Sequence, residues 1–309
     1  MTSSRFGKVA VLGGGVSGER EVSLASSSAI CAALQSEGVN AQFVDPSDTP
    51  LTELGALGFD VVFNALHGGA GEDGTVQGAL TTLGLPFTGS GVLGSALAMD
   101  KVRSKAVLRD AGIDVPRGVH VSRGDPRPTG LTFPVFVKPA SGGSSLGSMP
   151  VDKVDGLQTA LDAALQFDDV VLVETQLMGA EYTIGIVDGE ALPVIHIEAA
   201  NTFYDYNAKY ESEQTRFTCP ALIDDAAFAD RLAAMALTSF DALGCAGWGR
   251  VDFMCDADGK PYVLEVNTVP GMTDHSLVPC AGAAAGISFP KLCMRILALA
   301  QPVTKEQRT

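Results

Sequence analysis

The chain has 309 residues and a formal net charge of −15, with 46% hydrophobic and 18% charged residues. A chain of this length buries about three quarters of its unfolded surface and commonly divides into two or three domains, and this composition is that of a globular α/β protein and excludes general disorder. The negative charge disfavours nucleic acid and anionic lipid as partners, because binding either one depends on Lys and Arg.

The first hundred residues predict a small parallel α/β domain. The apolar run Lys8–Leu12 predicts a strand, which the glycines at 13–15 end. A helix of small residues follows to about Glu37, where Gly38 favours a helix terminus. Further buried strands are predicted at residues 41–45, 60–66 and 85–88.

The middle of the chain predicts a second, smaller unit that carries a flexible loop. A helix at 99–110 and a linker at 123–130 precede it. The predicted elements are a strand at 131–139, a nearly pure Gly/Ser loop at 140–148, a helix at 157–165 and a strand at 170–174.

The last third predicts a hairpin, a polar loop, a helix and two paired strands. The hairpin turns at Asp188-Gly189, the Tyr-rich loop covers residues 201–217, and the helix covers about 225–243. An Asp/Gly-rich turn joins the strands at 248–254 and 262–267, so we expect these two strands to pair antiparallel.

The cysteines and the N-terminus predict a reducing compartment. Six cysteines contain no CxxC pair, so neither a zinc site nor a disulfide framework is indicated. The N-terminus lacks the apolar run of a signal peptide, and no stretch of about 18 apolar residues exists. We therefore expect a cytoplasmic protein without a membrane partner.

Residues 13–18 (GGGVSG) match the G-x-G-x-x-G pattern of a dinucleotide-binding loop, and Asp45 ends the next strand, where a ribose ligand would lie. However, Glu19 and Glu21 begin the following helix, and their carboxylates would repel a pyrophosphate from its N-terminus. These acids either complement the helix dipole or, in the case of Glu19, bind a substrate ammonium. An NAD-dependent oxidoreductase stays as an alternative.

Four polar side chains near residues 250–267 predict a magnesium–nucleotide site. Alternate residues of a strand share a face, so Arg250 and Asp252 point the same way, as do Glu265 and Asn267. Oxygens of Asp, Glu and Asn are the ligands that Mg²⁺ prefers. The alternative is the exposed charged face of a surface hairpin.

Two lysines and a glycine-rich loop predict a phosphate site. Lys101 follows Met99-Asp100, and Lys138 stands just before residues 141–147 (SGGSSLG). Glycines permit close backbone approach, and serines and amides offer donors to anionic oxygens. A linker is the alternative for this loop, and the absence of a G-x-x-x-x-G-K-[ST] sequence disfavours a P-loop enzyme.

Seven motifs, which occur in the same order over nearly the whole chain, resemble those of the D-alanine–D-alanine ligase family. They are residues 17–24 (SGEREVSL), 67–74 (HGGAGEDG), 99–101 (MDK), 137–139 (VKP) with the Gly/Ser loop, 203–210 (FYDYNAKY), 247–252 (GWGRVD) and 265–273 (EVNTVPGMT). Their joint occurrence is far more specific than any one of them.

The resemblance implies an α/β protein with the ATP-grasp fold, which is α+β in its ATP-binding part. The implied domains are an N-terminal parallel α/β domain at 1–98, a central lid domain at 99–182 and a C-terminal catalytic domain at 183–309. ATP would lie between the last two domains, and the loop at 141–147 would close over its phosphates. The family also implies a homodimer.

The resemblance implies roles for individual residues at the nucleotide. The ATP ligands would be Lys101, Lys138 and Ser145 at the phosphates, Glu174 and Leu177 at the adenine, and Glu181 at the ribose. Two magnesium ions, with Mn²⁺ as a substitute, would bind Asp252, Glu265 and Asn267.

Roles at the amino-acid substrates are implied in the same way. Glu19 would bind the ammonium of the first D-alanine, with Ser144 and Tyr210 linked to it and His67 nearby. Arg250 and the Gly271 amide would stabilise the tetrahedral intermediate. The carboxylate of the second substrate would meet Lys209, Ser276 and Leu277.

The implied reaction is the ATP- and Mg²⁺-dependent ligation of two D-alanine molecules through D-alanyl phosphate, which supplies peptidoglycan precursors with their dipeptide. The pair Lys209-Tyr210 resembles the dipeptide-forming enzymes and favours an amine as the second substrate. The alternatives are a D-alanine:D-lactate ligase, another ATP-grasp carboxylate–amine ligase and a nucleotide-binding regulator.

Overall fold

The computed structural model describes residues 5–143, 146–198, 216–273 and 276–300. Their strands are β1 Lys8–Leu12, β2 Asn40–Val44, β3 Val61–Asn64, β4 Gly118–Ser122, β5 Val135–Pro139, β6 Met149–Val151, β7 Val170–Thr175, β8 Glu181–Val187, β9 Glu190–Ala191, β10 Ile195–Glu198, β11 Arg216–Thr218, β12 Trp248–Cys255 and β13 Pro261–Asn267. Their helices are α1 Arg20–Ser36, α2 Thr75–Leu83, α3 Val92–Met99, α4 Lys101–Asp110, α5 Leu157–Ala164, α6 Ala226–Ala242, α7 Leu277–Ala284 and α8 Phe289–Ala298.

The first sheet is parallel, in the order β2-β1-β3, which confirms the predicted N-terminal α/β unit. Helix α1 buries Ile30 and Leu34 in the core beside this sheet. The strand predicted at 85–88 is wrong, because only one bridge, Val62 to Phe87, extends the sheet there. The chain turns away directly afterwards at Gly89, whose φ of 92° favours glycine.

The helix predicted at 99–110 is α4, which begins at Lys101 because Asp100 separates it from the preceding helix, α3. Asp100 has an extended backbone, and its carboxylate accepts the amide hydrogens of Val102 and Arg103 at 3.1 and 3.0 Å. An aspartate in this position caps a new helix. The cap makes Lys101 the first residue of α4, where its side chain is buried.

The second sheet is antiparallel, in the order β4-β7-β5-β6. Helix α5 buries Leu157 and Leu161 in the core of this unit. The Gly/Ser loop is the connection from β5 to β6, and Lys138 is the last but one residue of β5, just before this loop.

The third sheet has the order β11-β10-β8-β12-β13, with β9 paired to β8. Strands β12 and β13 pair antiparallel, as predicted, and their register places Arg250 opposite Asn267 and Asp252 opposite Glu265. The β8–β9 hairpin turns at Asp188 and Gly189, which both have positive φ.

The three sheets follow one another along the chain, and the domain boundaries at 98/99 and 182/183 stay predictions. Within the described ranges no single helix is long and apolar enough to cross a bilayer, and α7 and α8 meet the length and composition requirement only as a pair bent by 105°. Both helices bury apolar side chains, among them Val278 and Ile296, in the core. All six cysteines are free thiols, as predicted.

Candidate active site

A cleft lies between the second and third sheets, beneath the Gly/Ser loop. Its lining residues are Lys101, Phe136, Lys138, Pro139, Ser141, Gly142, Gly143, Leu146, Ser148, Glu181, Asp252, Met254, Leu264 and Glu265. An adjoining hollow shares four of these residues and adds six others, among them Glu72, Asn267 and Thr268. The cleft and the adjoining hollow together bring six of the candidate residues close to one another: Lys101, Lys138, Glu181, Asp252, Glu265 and Asn267.

Asp252 is held by two neighbouring side chains. The Arg250 guanidinium donates from Nε to Oδ1 and from Nη2 to Oδ2, both at 2.7 Å. The Thr183 hydroxyl donates to Oδ1 at 2.6 Å. A two-point contact of this kind fixes the plane of both groups, so Arg250 and Asp252 form one rigid unit, of which Asp252 lines the cleft.

A β-bulge shapes the opposite strand. The register shifts between Asp252, which pairs with Glu265, and Phe253, which pairs with Val263, so Leu264 is the extra residue. Neighbouring strand residues normally point to opposite faces, whereas here Leu264 and Glu265 both line the cleft. A bulge redirects side chains in this way.

The donor set fits magnesium. Asp252 and Glu265 contribute two carboxylates to one cleft, and Asn267 lines the adjoining hollow with Glu265, where its side-chain oxygen accepts the Val269 amide hydrogen at 3.0 Å. In the described part of the chain, no three His, Cys, Asp or Glu residues form a ready-made metal cluster. Magnesium is typically held by one or two carboxylates together with substrate phosphates and water, so this sparse set suits a metal that arrives with a nucleotide.

A buried cluster of two lysines and one glutamate lies at one end of the cleft. The carboxylate of Glu174 lies 2.9 Å from Lys138 Nζ and 3.0 Å from Lys105 Nζ. Burial would raise the pKa of Glu174, but the two lysines outweigh it and lower that pKa. Burial lowers the pKa of Lys105 to about 8 although Glu174 opposes the change. The cluster carries one excess positive charge beside the predicted phosphate site.

Lys101 contacts both the Gly/Ser loop and the Glu265 carboxylate. Its Nζ donates to the Gly142 carbonyl at 2.6 Å and lies 3.3 Å from a Glu265 oxygen. The loop is further held where the Ser141 amide donates to Asp168 at 2.7 Å. Lys101 thus connects the Gly/Ser loop with Glu265, one of the predicted metal ligands.

The carboxylate of Glu19 lies between the Gly/Ser loop and the motif at 67–74. A β-carbon added to Gly143 would lie 3.1 Å from Glu19 Oε1, and one added to Gly68 would lie 2.8 Å from Oε2. Glycine at these two positions therefore leaves room for the Glu19 carboxylate.

Asp45 is hydrogen-bonded to the glycine-rich loop at residues 13–18 and to the helix that follows it. Its carboxylate lies 2.7 Å from the Arg20 guanidinium and accepts the Gly15 amide hydrogen at 3.0 Å and the Ser47 hydroxyl hydrogen at 2.7 Å. These contacts explain an acid at this position without a ribose, which argues against the dinucleotide alternative.

His67 is buried and contacts the loop that carries Gly271. Its Nδ1 lies 2.8 Å from the Val269 carbonyl oxygen and 3.7 Å from a Glu72 oxygen, and its Nε2 lies 3.0 Å from Ser26 Oγ. Its predicted place near the first substrate stays a prediction.

Ser276 and Leu277 lie at the N-terminus of α7, and Gly271 lies in the loop before it. The Ser276 hydroxyl oxygen accepts the Thr273 amide hydrogen at 2.9 Å, and it would lie 3.0 Å from a β-carbon on Gly271. Leu277, the first residue of α7, is half-buried. Leu177 is also half-buried, in the connection between β7 and β8. The predictions for Ser144, Ser145, Lys209 and Tyr210 fall outside the described residues.

Two family models match the sequence. The model described as D-ala D-ala ligase C-terminus matches residues 126–298, more than half of the chain, and the model described as D-ala D-ala ligase N-terminus matches residues 49–90. The chain belongs to the D-alanine–D-alanine ligase family.

Individual members of the D-alanine–D-alanine ligase family resemble this chain in sequence and structure over nearly its whole length. The chain is 50% identical over 300 residues to a D-alanine–D-alanine ligase of Dechloromonas aromatica (strain RCB), which covers 96% of this chain and 99% of that protein. The crystal structure of a Bacillus anthracis D-alanine–D-alanine ligase complexed with ATP superposes with a TM-score of 0.84 at 35% identity and covers 97% and 99% of the two chains. The VanG D-Ala:D-Ser ligase of Enterococcus faecalis gives 0.83 at 31% identity over 95% and 99%. These likenesses establish the ATP-grasp architecture.

Sequence reasoning missed three residues that the structure brings to this ligase-family site. Lys105 follows Lys101 by four positions, so helical periodicity could have placed both on one face of α4. Ser26 and Thr183 give no local signal, because their partners, at Met272 and Asp252, are 246 and 69 positions away.

Proposed function

We propose that this cleft binds ATP with magnesium and joins two D-alanine molecules into D-alanyl-D-alanine, with ADP and phosphate as the other products. The observation that carries the proposal is the convergence of Lys101 and Lys138 with Asp252 and Glu265 on one cleft, whose covering loop reaches Glu19. Membership of the ligase family and the relatives' names support the same reaction.

The first half-reaction activates a carboxylate, which by itself is a poor electrophile. Glu19 holds the ammonium of the first D-alanine by a charge-assisted hydrogen bond. A carboxylate oxygen of that D-alanine attacks the γ-phosphorus, the bond to the β–γ bridging oxygen breaks, and ADP leaves. Lys101 and Lys138 offset negative charge on the phosphates. Magnesium, when bound by Asp252, Glu265 and Asn267, supplies further charge neutralisation there.

The second half-reaction forms the peptide bond. The neutral amine of the second D-alanine attacks the carbonyl carbon of D-alanyl phosphate, and the carbonyl electrons move to oxygen. Collapse of this intermediate expels phosphate with the electron pair of its C–O bond, and the nitrogen loses one proton to water. In this proposal Arg250 and the Gly271 amide donate to the oxyanion, and Lys209 with the N-terminus of α7 at Ser276 and Leu277 receives the carboxylate.

The contacts of Arg250 support its role. Its guanidinium is fixed by Asp252 on the cleft wall, and its side chain is largely buried. A donor that is already oriented stabilises a transient oxyanion without reorganising at the moment of reaction.

Phosphate release and product mass test the proposal together. The purified chain is incubated with ATP, magnesium and a panel of D-amino and D-hydroxy acids. We expect phosphate, ADP and D-alanyl-D-alanine in equal amounts. ATP binding without ADP formation in the presence of D-alanine would indicate a nucleotide-binding regulator, and oxidation of added NADH would indicate an oxidoreductase.

We propose further that the enzyme is a cytoplasmic homodimer that accepts Mn²⁺ in place of Mg²⁺ and supplies the dipeptide of peptidoglycan precursors. The family resemblance supports each of these points, and the excess of acidic residues agrees with small substrates rather than nucleic acid or membrane. Light scattering during gel filtration tests the dimer, and a monomer at micromolar concentration would contradict it.

A further inference from the structure

A chain of hydrogen bonds links the N-terminal helix α1 to the loop at 269–272. The Met272 amide donates to Ser26 Oγ at 3.1 Å, Ser26 Oγ lies 3.0 Å from His67 Nε2, and His67 Nδ1 lies 2.8 Å from the Val269 carbonyl oxygen. Ser26 and Met272 are fully buried, and His67 is 5% exposed. The two ends of this chain meet the loop on either side of Gly271.

One arrangement of protons satisfies every atom in the chain. The Val269 carbonyl only accepts, so His67 Nδ1 carries the hydrogen. In the neutral ring Nε2 is then the acceptor, so the Ser26 hydroxyl donates to it and accepts the Met272 amide hydrogen. Each donor and each acceptor in the three hydrogen bonds is then used as its chemistry allows, and the donor of every bond is defined.

The same loop is held at its two outer ends by residues of its own strand and helix. The Val269 amide donates to the Asn267 side-chain oxygen at 3.0 Å, and the Thr273 amide donates to Ser276 Oγ at 2.9 Å. Ser26 and His67 add a third support in the middle, from residues more than 200 positions away. Buried and fully bonded networks of this kind fix a single conformation.

We propose that Ser26, through His67 and the Met272 amide, is a positioning residue that holds the Gly271 amide in place for the second half-reaction. The inference rests on the oxyanion role proposed above for Gly271. An oxyanion donor acts only if it is preorganised at the place where charge develops, and the oxyanion forms when the amine attacks, after D-alanyl phosphate already exists. Ser26 therefore serves peptide-bond formation and not carboxylate activation.

The test compares Ser26→Ala with Ser27→Ala. Ser27 is the next residue of α1 and is also fully buried, but its hydroxyl donates to Leu24 O within the helix, so it is a matched control. Steady-state assays give kcat and the KM values for ATP and D-alanine. Positional isotope exchange in ATP labelled at the β–γ bridging oxygen, measured with D-alanine, reports reversible formation of D-alanyl phosphate separately.

For Ser26→Ala we expect kcat for the dipeptide to fall about 10- to 100-fold, because a misplaced donor loses much of its effect. Isotope exchange and the KM for ATP should stay within about threefold, and Ser27→Ala should stay within about threefold of the wild type throughout. Unchanged kcat in Ser26→Ala, or an equal fall in kcat and isotope exchange, would overturn the proposal. Ser26→Cys, which keeps a weak donor and acceptor, should recover part of the activity, and it also serves if Ser26→Ala does not fold.

A phosphinate analogue of the dipeptide separates this proposal from the role of Gly271. The analogue carries its anionic oxygen where the intermediate carries the oxyanion. We expect the wild type to bind it in the presence of ATP far more tightly than the dipeptide, and Ser26→Ala to lose about 10- to 100-fold of that affinity. Full retention of the affinity would overturn the positioning role alone. Weak binding to the wild type would overturn the proposed oxyanion site, and with it this inference.

Discussion

Asp252 and Glu265 stand directly opposite each other on the antiparallel strands β12 and β13, and both line the cleft that holds the two candidate phosphate lysines. Two carboxylates in one cleft repel each other unless cations share the site. Lys101 and Arg250 supply part of that charge in the structure, at 3.3 Å from Glu265 and 2.7 Å from Asp252.

Glu265→Gln should lower kcat by about 100-fold or more, because an amide is a weak magnesium ligand and metal-assisted stabilisation is worth several kcal/mol. Raised magnesium should restore part of the activity. The measurement is phosphate release over a range of magnesium concentrations, with Glu190→Gln, an exposed change on β9, as the control. Wild-type turnover of Glu265→Gln at limiting magnesium would remove Glu265 from the metal site.

The side-chain pattern of β12 and β13 was predictable, but the bulge between them was not. Alternation along each strand and the Asp/Gly-rich turn are local properties, and they gave the shared face of Arg250 and Asp252. The extra residue at Leu264 depends on packing across the sheet, so the sequence offered no signal for a cleft lined by both Leu264 and Glu265.

The Lys105–Glu174–Lys138 cluster yields a prediction for nucleotide binding. Lys105→Met removes one of the two cations on Glu174, which leaves Glu174 paired with Lys138 and lowers the positive charge beside the phosphates. We expect the KM for ATP to rise about tenfold and the free energy of unfolding to fall by about 1–3 kcal/mol, less than for a fully orphaned charge.

Arg103→Met is the control for Lys105→Met, since Arg103 lies on the same helix but is exposed and pairs with Asp100 at the surface. Denaturant unfolding and ATP saturation curves provide the two measurements. If Lys105→Met matched Arg103→Met in both, Lys105 would have no part in nucleotide binding.

Gly143→Ala tests the contact between the Gly/Ser loop and Glu19. The added methyl would lie 3.1 Å from Glu19 Oε1, so the carboxylate has to move by a few tenths of an ångström, and the φ of Gly143 itself allows alanine. We expect the KM for the first D-alanine to rise about three- to tenfold, with a smaller change for ATP, because the proposed function assigns the substrate ammonium to Glu19.

Kinetics with D-alanine and ATP varied separately provide the measurement for Gly143→Ala. Gly55→Ala, where nothing lies within 4 Å of the added carbon, controls for the substitution itself. An equal rise in the KM values for D-alanine and ATP would show that the contact between the Gly/Ser loop and Glu19 has no specific effect on the first D-alanine.

Asp45→Asn tests the support of the glycine-rich loop through its pH dependence. Burial would raise the pKa of Asp45, but hydrogen bonds from Arg20, Ser47 and Gly15 outweigh it and hold that pKa well below its usual range. A depressed carboxyl pKa stabilises the fold above the unfolded pKa, near 4, and this contribution disappears as the pH falls through the lower folded value.

We expect Asp45→Asn to lose about 1–3 kcal/mol of unfolding free energy at neutral pH, discounted because Arg20 is partly exposed, and to lose less at about pH 3. Asp48→Asn, an exposed change three residues later, is the control. Urea titrations at several pH values measure the difference. A loss that is the same at every pH would show that the charge of Asp45 contributes nothing.

Sequence reasoning was strongest where local chemistry repeats and weakest where distant segments meet. Asp45 illustrates this: its position after a strand suggested a ribose ligand, whereas its contact with Arg20 across the turn shows an internal brace. The hydrogen bond between Ser26 on α1 and Met272 in the loop after β13 is another such case, because no periodicity connects residues 246 positions apart.

The last prediction concerns the second substrate, for which the fold is not selective: a relative described as a D-Ala:D-Ser ligase superposes with a TM-score of 0.83. We expect D-alanine to be preferred over D-lactate at neutral pH, so that the amide product predominates. The argument is the pair Lys209-Tyr210, which resembles the dipeptide-forming enzymes, with Lys209 as a point charge for the incoming carboxylate. Lys209→Ala should raise the KM at the second site about tenfold or more while leaving the first site nearly unchanged, because a lost charge-assisted bond is worth about 1.5–3 kcal/mol. Competition between equal amounts of D-alanine and D-lactate, with the products separated by mass, measures the preference, and a predominant depsipeptide would contradict the specificity while leaving the ATP-dependent activation of D-alanine intact.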